Sequence, residues 1–174
     1  MPRYKKYTMK TRDQSQIQLL SDELFSTVLD GAEKSPRKRM NYNFHTAMEE
    51  NPHRFLNVMC RGTFITPHRH LFPPKSESFI VLRGRLAFFI FNDEGDIIEM
   101  HALSDESGFA HGIDIAPGIW HTLAVLSDHA VCYEVKPGPY QLSDDKEFAE
   151  WAPREGSEES GNYLDKLLKS FQDA

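Results

Sequence analysis

The sequence has only two cysteines, Cys60 and Cys132, and both lie within apolar runs far apart in the chain. Small secreted proteins that depend on disulfides carry an even-numbered framework of several cysteines, and that framework is missing here. We therefore expect two buried, reduced thiols. This state fits the cytoplasm.

The sequence also lacks a long hydrophobic run. A transmembrane helix needs about 20 apolar residues, and residues 1–18 are polar and charged, without the apolar centre of a signal peptide. The net charge of −6 leaves no broad cationic surface for phosphates, and the short basic cluster Arg37-Lys38-Arg39 is predicted to be a solvated loop. We therefore expect a cytoplasmic protein with neither nucleic acid nor membrane as its partner.

The composition is that of one soluble globular domain. The chain has 174 residues, of which 40% are hydrophobic and 26% are charged, so it can bury a core without covalent staples. We divide it into an N-terminal tail and covering helix at residues 1–36, a β-barrel at 37–140, and an acidic linker with a C-terminal amphipathic helix at 141–174.

Two helices are predicted, one before and one after the barrel in the sequence. The first begins at the N-cap Ser21, buries one apolar face and ends near Lys34, because Ser35-Pro36 cannot continue it. The second covers residues 162–171 and follows a flexible link at 156–161. It could pack against its own barrel or against a partner chain, and the sequence does not decide between them.

Between the helices the sequence is typical of β-structure. Short runs rich in Phe, Ile, Val and Leu are interrupted by turn residues about every ten positions. Short turns such as Arg83-Gly84 imply antiparallel pairing. The predicted strands cover residues 54–61, 63–68, 77–83, 85–92, 97–103, 112–116, 121–127 and 130–136.

A His-x-His pair lies within one of these strands. His68 and His70 are two positions apart, and alternate residues of a strand point to the same face, so both imidazoles are expected to face inward. Such a pair is common by chance. Its context therefore decides whether it signifies a metal site.

That context has a regular spacing. Gly62 is followed after five residues by His68-Arg69-His70, after six more by Glu77, and after six more by Gly84, and Pro117-Gly118-Ile119-Trp120-His121 comes later. This pattern resembles the two motifs of the cupin superfamily. The resemblance implies an all-β fold, a jelly-roll barrel or double-stranded β-helix, with His68, His70, Glu77 and His121 around one divalent metal ion. The two glycines match those that the family places in tight turns.

Glu77 departs from the family spacing, because residues 71–76 lengthen the gap after His70. Glu77 could be a metal ligand, a hydrogen-bond acceptor for an imidazole N–H, or a general base. Val125 and Ala116 also differ from the usual residues of the second motif. These differences affect its turn and not His121.

A finer resemblance emerges when Arg39–His45 and Pro52–Asn57 are added to the histidine motif. Together they are similar to the WbuC family of cupin-fold metalloproteins, over about residues 20–137. This resemblance implies an association with polysaccharide or O-antigen gene clusters, without a settled reaction. His53 stands where that family more often has Gln.

Several residues could surround a substrate. His45 could lie at the barrel mouth and carry protons at neutral pH, or could pack against the wall. Arg54 and Arg69 could bind an anion, although Arg69 alternates with two inward histidines and is predicted to face outward. Trp120 could flank the pocket.

These observations predict a metal-dependent enzyme that acts on a small sugar-derived or carboxylate-bearing substrate, with His45 and Glu77 as the candidate catalytic residues. A non-catalytic sugar-binding or sensing module is the alternative, because the cupin fold serves many functions. The ligand types do not separate Fe, Mn, Ni and Zn. The cupin resemblance also implies a homodimer, and the need to cover exposed strand edges supports it.

Overall fold

The computed structural model describes residues 10–11, 16–140 and 146–173, so most of the predicted N-terminal tail and part of the linker lie outside the described residues. Within the described ranges the chain forms two helices and eleven strands. The elements are β1 (Lys10–Thr11), α1 (Asp22–Glu33), β2 (Arg39–Asn43), β3 (His53–Cys60), β4 (His68–Arg69), β5 (Glu77–Arg83), β6 (Arg85–Phe91), β7 (Ile97–Ser104), β8 (Gly112–Ile115), β9 (Trp120–Val125), β10 (His129–Lys136), β11 (Glu147–Phe148) and α2 (Glu159–Gln172).

The strands form two sheets that face each other. One has the order β1-β2-β3-β10-β5-β8 and the other β11-β4-β9-β6-β7, and apart from the parallel β1-β2 pair all the pairings are antiparallel. The interior is filled by apolar side chains from both sheets, including Phe79, Phe88 and Leu123. This arrangement confirms the all-β prediction.

Helix α1 covers the outer face of the first sheet, as predicted. Ser21 accepts a hydrogen bond from the backbone N–H of Leu24 at 3.3 Å and thereby caps the helix. Phe25 and Val28 are buried against the side of β3 opposite the interior, where Leu56 lies. The apolar stripe of α1 thus stabilises the sheet from outside.

Helix α2 covers the second sheet, which answers the question that the sequence left open. Leu164 and Leu167 are buried in a cluster with Phe89 and Phe91 on the outer side of β6. The helix begins at Glu159, so the prediction of a flexible link through residue 161 is wrong at its C-terminal end. The described α2 therefore packs on its own barrel.

Residues 63–67 are not a strand, contrary to the prediction for 63–68. Thr63 donates its hydroxyl to the carbonyl of Lys38 at 2.8 Å, and Thr66 donates to the carbonyl of Pro153 at 3.0 Å. These side-chain bonds replace a strand ladder, and Pro67 has no N–H to offer one. Only His68 and Arg69 form a strand here.

Strand β2 was missing from the prediction, and it changes the interpretation of the basic cluster. Arg39 is the first residue of β2, and its guanidinium lies 2.8 Å from the Glu155 carboxylate and 3.0 Å from the carbonyl of Phe64. Its side chain is only 9% exposed. The prediction of a solvated loop is therefore wrong for Arg39.

The turn between β5 and β6 requires glycine. Gly84 has φ of +84°, and a Cβ at this position would lie 2.3 Å from the carbonyl oxygen of His129.

Cys132 is a buried free thiol and Cys60 a half-buried one, so the prediction of a buried thiol is met fully only at Cys132. Neither of the described helices is both long and apolar enough to cross a membrane.

Candidate metal centre

Four predicted ligands lie between the two sheets, and short strands position them. His68 is in β4 and is the register partner of His121 in β9, while Glu77 begins β5 in the opposite sheet. His70 follows β4, and its carbonyl accepts the backbone N–H of Gly118 at 3.0 Å. All four side chains are buried.

The four side chains converge on one point. One donor atom from each of His68, His70, Glu77 and His121 lies within 4.8 Å of the others. The Glu77 oxygens are 3.1 Å from Nε2 of His70 and 3.1 Å from Nε2 of His121. The longer loop at residues 71–76 therefore does not displace Glu77 from the histidines.

Backbone carbonyls orient two of the imidazoles. Nδ1 of His68 lies 3.1 Å from the carbonyl of Thr66, and Nδ1 of His121 lies 2.9 Å from the carbonyl of Ile119. Because a carbonyl only accepts hydrogen bonds, Nδ1 of each ring carries the proton. For His68, Nε2 then presents a lone pair, which is the form that binds a metal.

The residues fit a divalent cation. Nε2 of His68 is buried, and no described residue offers it a hydrogen bond, although buried polar atoms normally have a partner. Burial and the nearby Lys146 hold the pKa of His68 well below its usual value, so the ring stays neutral. Burial opposes ionisation of Glu77, but Lys136 and the two imidazoles outweigh it and hold the pKa of Glu77 well below its usual range. Imidazole nitrogens beside an ionised carboxylate are the donors that Fe, Mn, Ni and Zn accept.

A small cavity adjoins the cluster and a larger one lies beside it. The small one has a volume of about 30 Å³ and is lined in part by His68, Glu77 and His121. The larger one has a volume of about 290 Å³. Both cavities are lined by a shared set of side chains, namely Asn57, Ile65, Glu134 and Lys146.

Sequence reasoning missed the charged residues that line these cavities. Glu134 and Lys136 continue the inward-facing alternation of Ala130 and Cys132 along β10, so two charges at interior positions of a strand were the available signal. Asn57 donates to Glu134 at 3.0 Å, while Nζ of Lys136 lies 3.5 Å from Glu77. Burial and the charge of Glu77 raise the pKa of Glu134 to about 7.

His45 lies in the wall of the larger cavity and outside the metal cluster. Its ring stacks on that of His53 with centroids 4.1 Å apart and planes 4° from parallel. Nδ1 of His45 is 3.2 Å from the backbone nitrogen and 3.1 Å from the carbonyl of Arg54, and burial lowers the pKa of His45. His45 therefore both packs against the wall and lines the cavity.

Arg69 and Trp120 lie away from the cluster. Arg69 faces outward as predicted, forming ion pairs with Glu147 at 2.8 Å and Asp93 at 3.1 Å. Its guanidinium lies 4.3 Å from the centre of the Trp120 ring, and Trp120 packs in the apolar cluster beneath α2. The suggestion that Trp120 flanks the pocket is therefore wrong.

Arg54 does not line either cavity beside the cluster. Its guanidinium lies 3.6 Å from the Glu50 carboxylate in an ion pair. The structure thus offers no support for Arg54 as an anion ligand at this site.

The chain matches one protein family and several solved structures. A family described as "Domain of unknown function (DUF6016)" matches residues 20–103. No curated protein matches the chain significantly. Among solved structures, the capsular polysaccharide assembling protein CapF from Staphylococcus aureus has 19% identity and a TM-score of 0.53, with 67% of this chain and 33% of CapF covered.

Two further structures are similar. Protein SO0799 from Shewanella oneidensis has 13% identity and a TM-score of 0.50, with 63% of this chain and 73% of that protein covered. The cupin domain of Cnp3 from Schizosaccharomyces pombe has 10% identity and a TM-score of 0.43, with 57% and 64% covered. The chain has a cupin fold. The cupin barrel matches about one third of the length of CapF, and at these identities the likenesses to CapF and SO0799 establish the fold alone.

Proposed function

We propose that the chain is a metal-dependent enzyme acting on a small sugar-derived or carboxylate-bearing substrate. The observation that supports this is that the donor cluster lines a small cavity, which shares four lining side chains with a cavity of about 290 Å³. Small-molecule sites have volumes of roughly 300–1000 Å³, so this cavity suits a small ligand.

His68, His70, Glu77 and His121 would hold the metal. When bound, a divalent ion supplies Lewis acidity toward an oxygen of the substrate. Fe, Mn, Ni and Zn are all compatible with three imidazoles and one carboxylate. The chain's own residues must provide the other functions, which are binding, orientation and proton transfer.

His45 and Glu134 are the residues that we propose to move protons. Nδ1 of His45 is engaged by the Arg54 backbone, so Nε2 is the atom that would exchange a proton with substrate. Glu134 lines both cavities, and in the metal-free protein burial and the charge of Glu77 raise its pKa to about 7, so its carboxyl is a candidate to accept and return a proton. Glu77 is a weaker candidate for a base than the sequence suggested, because its pKa is held low.

We also propose a role in a surface polysaccharide pathway. The resemblance to the WbuC family supports this placement. CapF, whose fold is similar, is described as a capsular polysaccharide assembling protein.

One observation favours the alternative, a sugar-binding or sensing module without turnover. The cavity directly beside the donor cluster has a volume of only about 30 Å³, which is room for one or two water molecules. A ligand confined to the larger cavity would then be bound beside a metal that only supports the barrel.

Turnover measurements separate the two functions. The metal content of protein purified without added metal identifies the native ion. That protein, together with His121→Ala and His101→Ala, is then incubated with sugars and sugar acids and followed by NMR. His101 is exposed and paired with Glu99, so its variant is the matched control. The enzyme proposal expects product formation that His121→Ala abolishes and His101→Ala retains, whereas binding without product in any sample supports the module.

We further propose a homodimer formed through exposed sheet edges. Strand β7 is at the edge of the second sheet, and its residue Ile98 is 58% exposed. Light scattering at two concentrations tests this, with Ile98→Glu expected to give monomers and a monomeric parent protein contradicting it.

A further inference from the structure

The larger cavity differs in charge from the rest of the chain. The chain carries a net charge of −6, yet the charged side chains among the described residues that line the cavity are mostly cationic. In that set the cations are Arg37, Arg39, Lys136 and Lys146, and the acid is Glu134. A cluster of cations in an acidic protein favours an anionic ligand at that place.

Two carboxylates form ion pairs with three of these cations. Glu155 lies 2.9 Å from the guanidinium of Arg37 and 2.8 Å from that of Arg39. Glu77 lies 3.5 Å from the ammonium of Lys136. Three of the four cations therefore have a protein carboxylate within ion-pair distance.

Lys146 differs from them. It lines both the small and the large cavity, and among the described residues no carboxylate lies within ion-pair distance of its ammonium. Burial and the neighbouring Lys136 lower the pKa of Lys146. Glu77 and Glu134 counter this only in part, and a partly buried ammonium without an ion-pair partner is unfavourable, so an anion from solution would offset that cost.

The lining also limits the size and charge of such an anion. The volume of about 290 Å³ is below that of most drug-sized sites, so a single sugar fits better than a sugar nucleotide. The cavity wall includes the amides of Asn41, Asn43 and Asn57, which can hydrogen-bond hydroxyl groups. The carboxyl of Glu134 opposes a second negative charge and favours a monoanion.

We propose that this cavity binds a monocarboxylate of monosaccharide size, with the ligand's carboxylate at Lys146. The inference depends on the proposed function only where it takes this ligand to be the substrate of the enzyme. Binding at Lys146 itself requires no turnover. The two ideas therefore fail separately.

Calorimetric binding of three probes tests the proposal. Glucuronate, glucose and glucose 6-phosphate share the sugar ring and differ in charge, and each is titrated into chelator-treated and metal-loaded protein. We expect glucuronate to bind more tightly than the other two in both forms. A charge-assisted hydrogen bond is worth about ten- to hundredfold in affinity, so Lys146→Gln is expected to weaken glucuronate binding by about that factor.

Two variants control this experiment. Lys166→Gln changes an exposed lysine of α2 and is expected to bind glucuronate like the parent protein. Lys146→Arg keeps the positive charge and is expected to retain most of the affinity, which distinguishes a lost contact from a misfolded variant.

Several results would overturn the proposal. Equal affinity for glucuronate and glucose, a preference for glucose 6-phosphate, absence of binding by all three probes, or unchanged affinity in Lys146→Gln would each do so. Turnover of a neutral sugar without glucuronate binding would refute this inference and leave the enzyme proposal intact. Lys146-dependent binding of glucuronate without any turnover would support this inference and refute the enzyme proposal.

Discussion

Removal of divalent metal with a chelator is expected to lower the melting temperature of this protein by several degrees. The four donor groups already lie within 4.8 Å of one another and are buried, so metal binding needs little rearrangement of the folded chain. The unfolded chain does not hold the donors together, and binding therefore stabilises the folded state selectively.

The size of the effect follows from linkage. Free metal at 100 times its dissociation constant stabilises the folded state by about 2.7 kcal/mol. For a domain of this length, each kcal/mol shifts the melting temperature by roughly 2–4 °C. Addition of metal to chelator-treated protein should therefore raise the melting temperature by about 5–11 °C.

Circular dichroism melts of three proteins, each with and without metal, measure this shift. The parent protein and His101→Ala should show the full increase, because His101 is exposed and outside the cluster. His121→Ala should lose most of it. Comparing each variant with itself removes the effect of the substitution on the metal-free fold.

Two outcomes would refute the reasoning. One is an unchanged melting temperature in the parent protein at saturating concentrations of Mn²⁺, Fe²⁺, Ni²⁺ and Zn²⁺. The other is an equal increase in His121→Ala and His101→Ala, since the metal would then bind elsewhere.

Three further predictions concern stability in urea. Leu167→Ala should lower the free energy of unfolding by about 2–5 kcal/mol, because the side chain is 4% exposed between α2 and the barrel. A loss below about 0.5 kcal/mol would show that α2 is not docked. Gly84→Ala should cost more than Gly108→Ala, since both have positive φ but only at Gly84 would a Cβ meet backbone; equal losses would contradict this. In metal-free protein, folding raises the pKa of Glu134 from 4.5 to about 7, so the native state binds the proton more tightly and the free energy of unfolding falls as pH rises between those values. Glu134→Gln should therefore gain stability relative to the parent, by up to about 3 kcal/mol between pH 4.5 and 8, and a pH-independent difference would contradict the raised pKa.

The donor cluster could be predicted from sequence because its signals are local. His68 and His70 share a strand face through simple alternation, and the flanking glycines and the Pro-Gly-Ile-Trp-His element matched a known family pattern, although the gap before Glu77 is longer than in that family. The shortness of β4 and the longer loop before Glu77 did not change which residues form the cluster. The two ends of that loop are fixed by β4 and β5.

The cavity that we assign to the ligand could not be predicted in this way, because distant segments build it. Arg39 comes from β2, whose polar residues gave no strand signal in the sequence. Lys146 lies ten residues after the end of β10. Glu134 and Lys136 alternate with interior residues of β10. No local rule says which charged residue will be tolerated inside, so the sequence did not single them out.

The pairing of β11 with β4 makes the chain after the barrel part of the site. Phe148 is the register partner of His68, and Glu147 is that of Arg69, while Lys146 immediately precedes this pair. A chain shortened to residue 140 would leave the β4 edge open and remove that lysine. Exchanging this tail between related barrels is therefore a route to altered ligand choice in which the metal donors stay untouched.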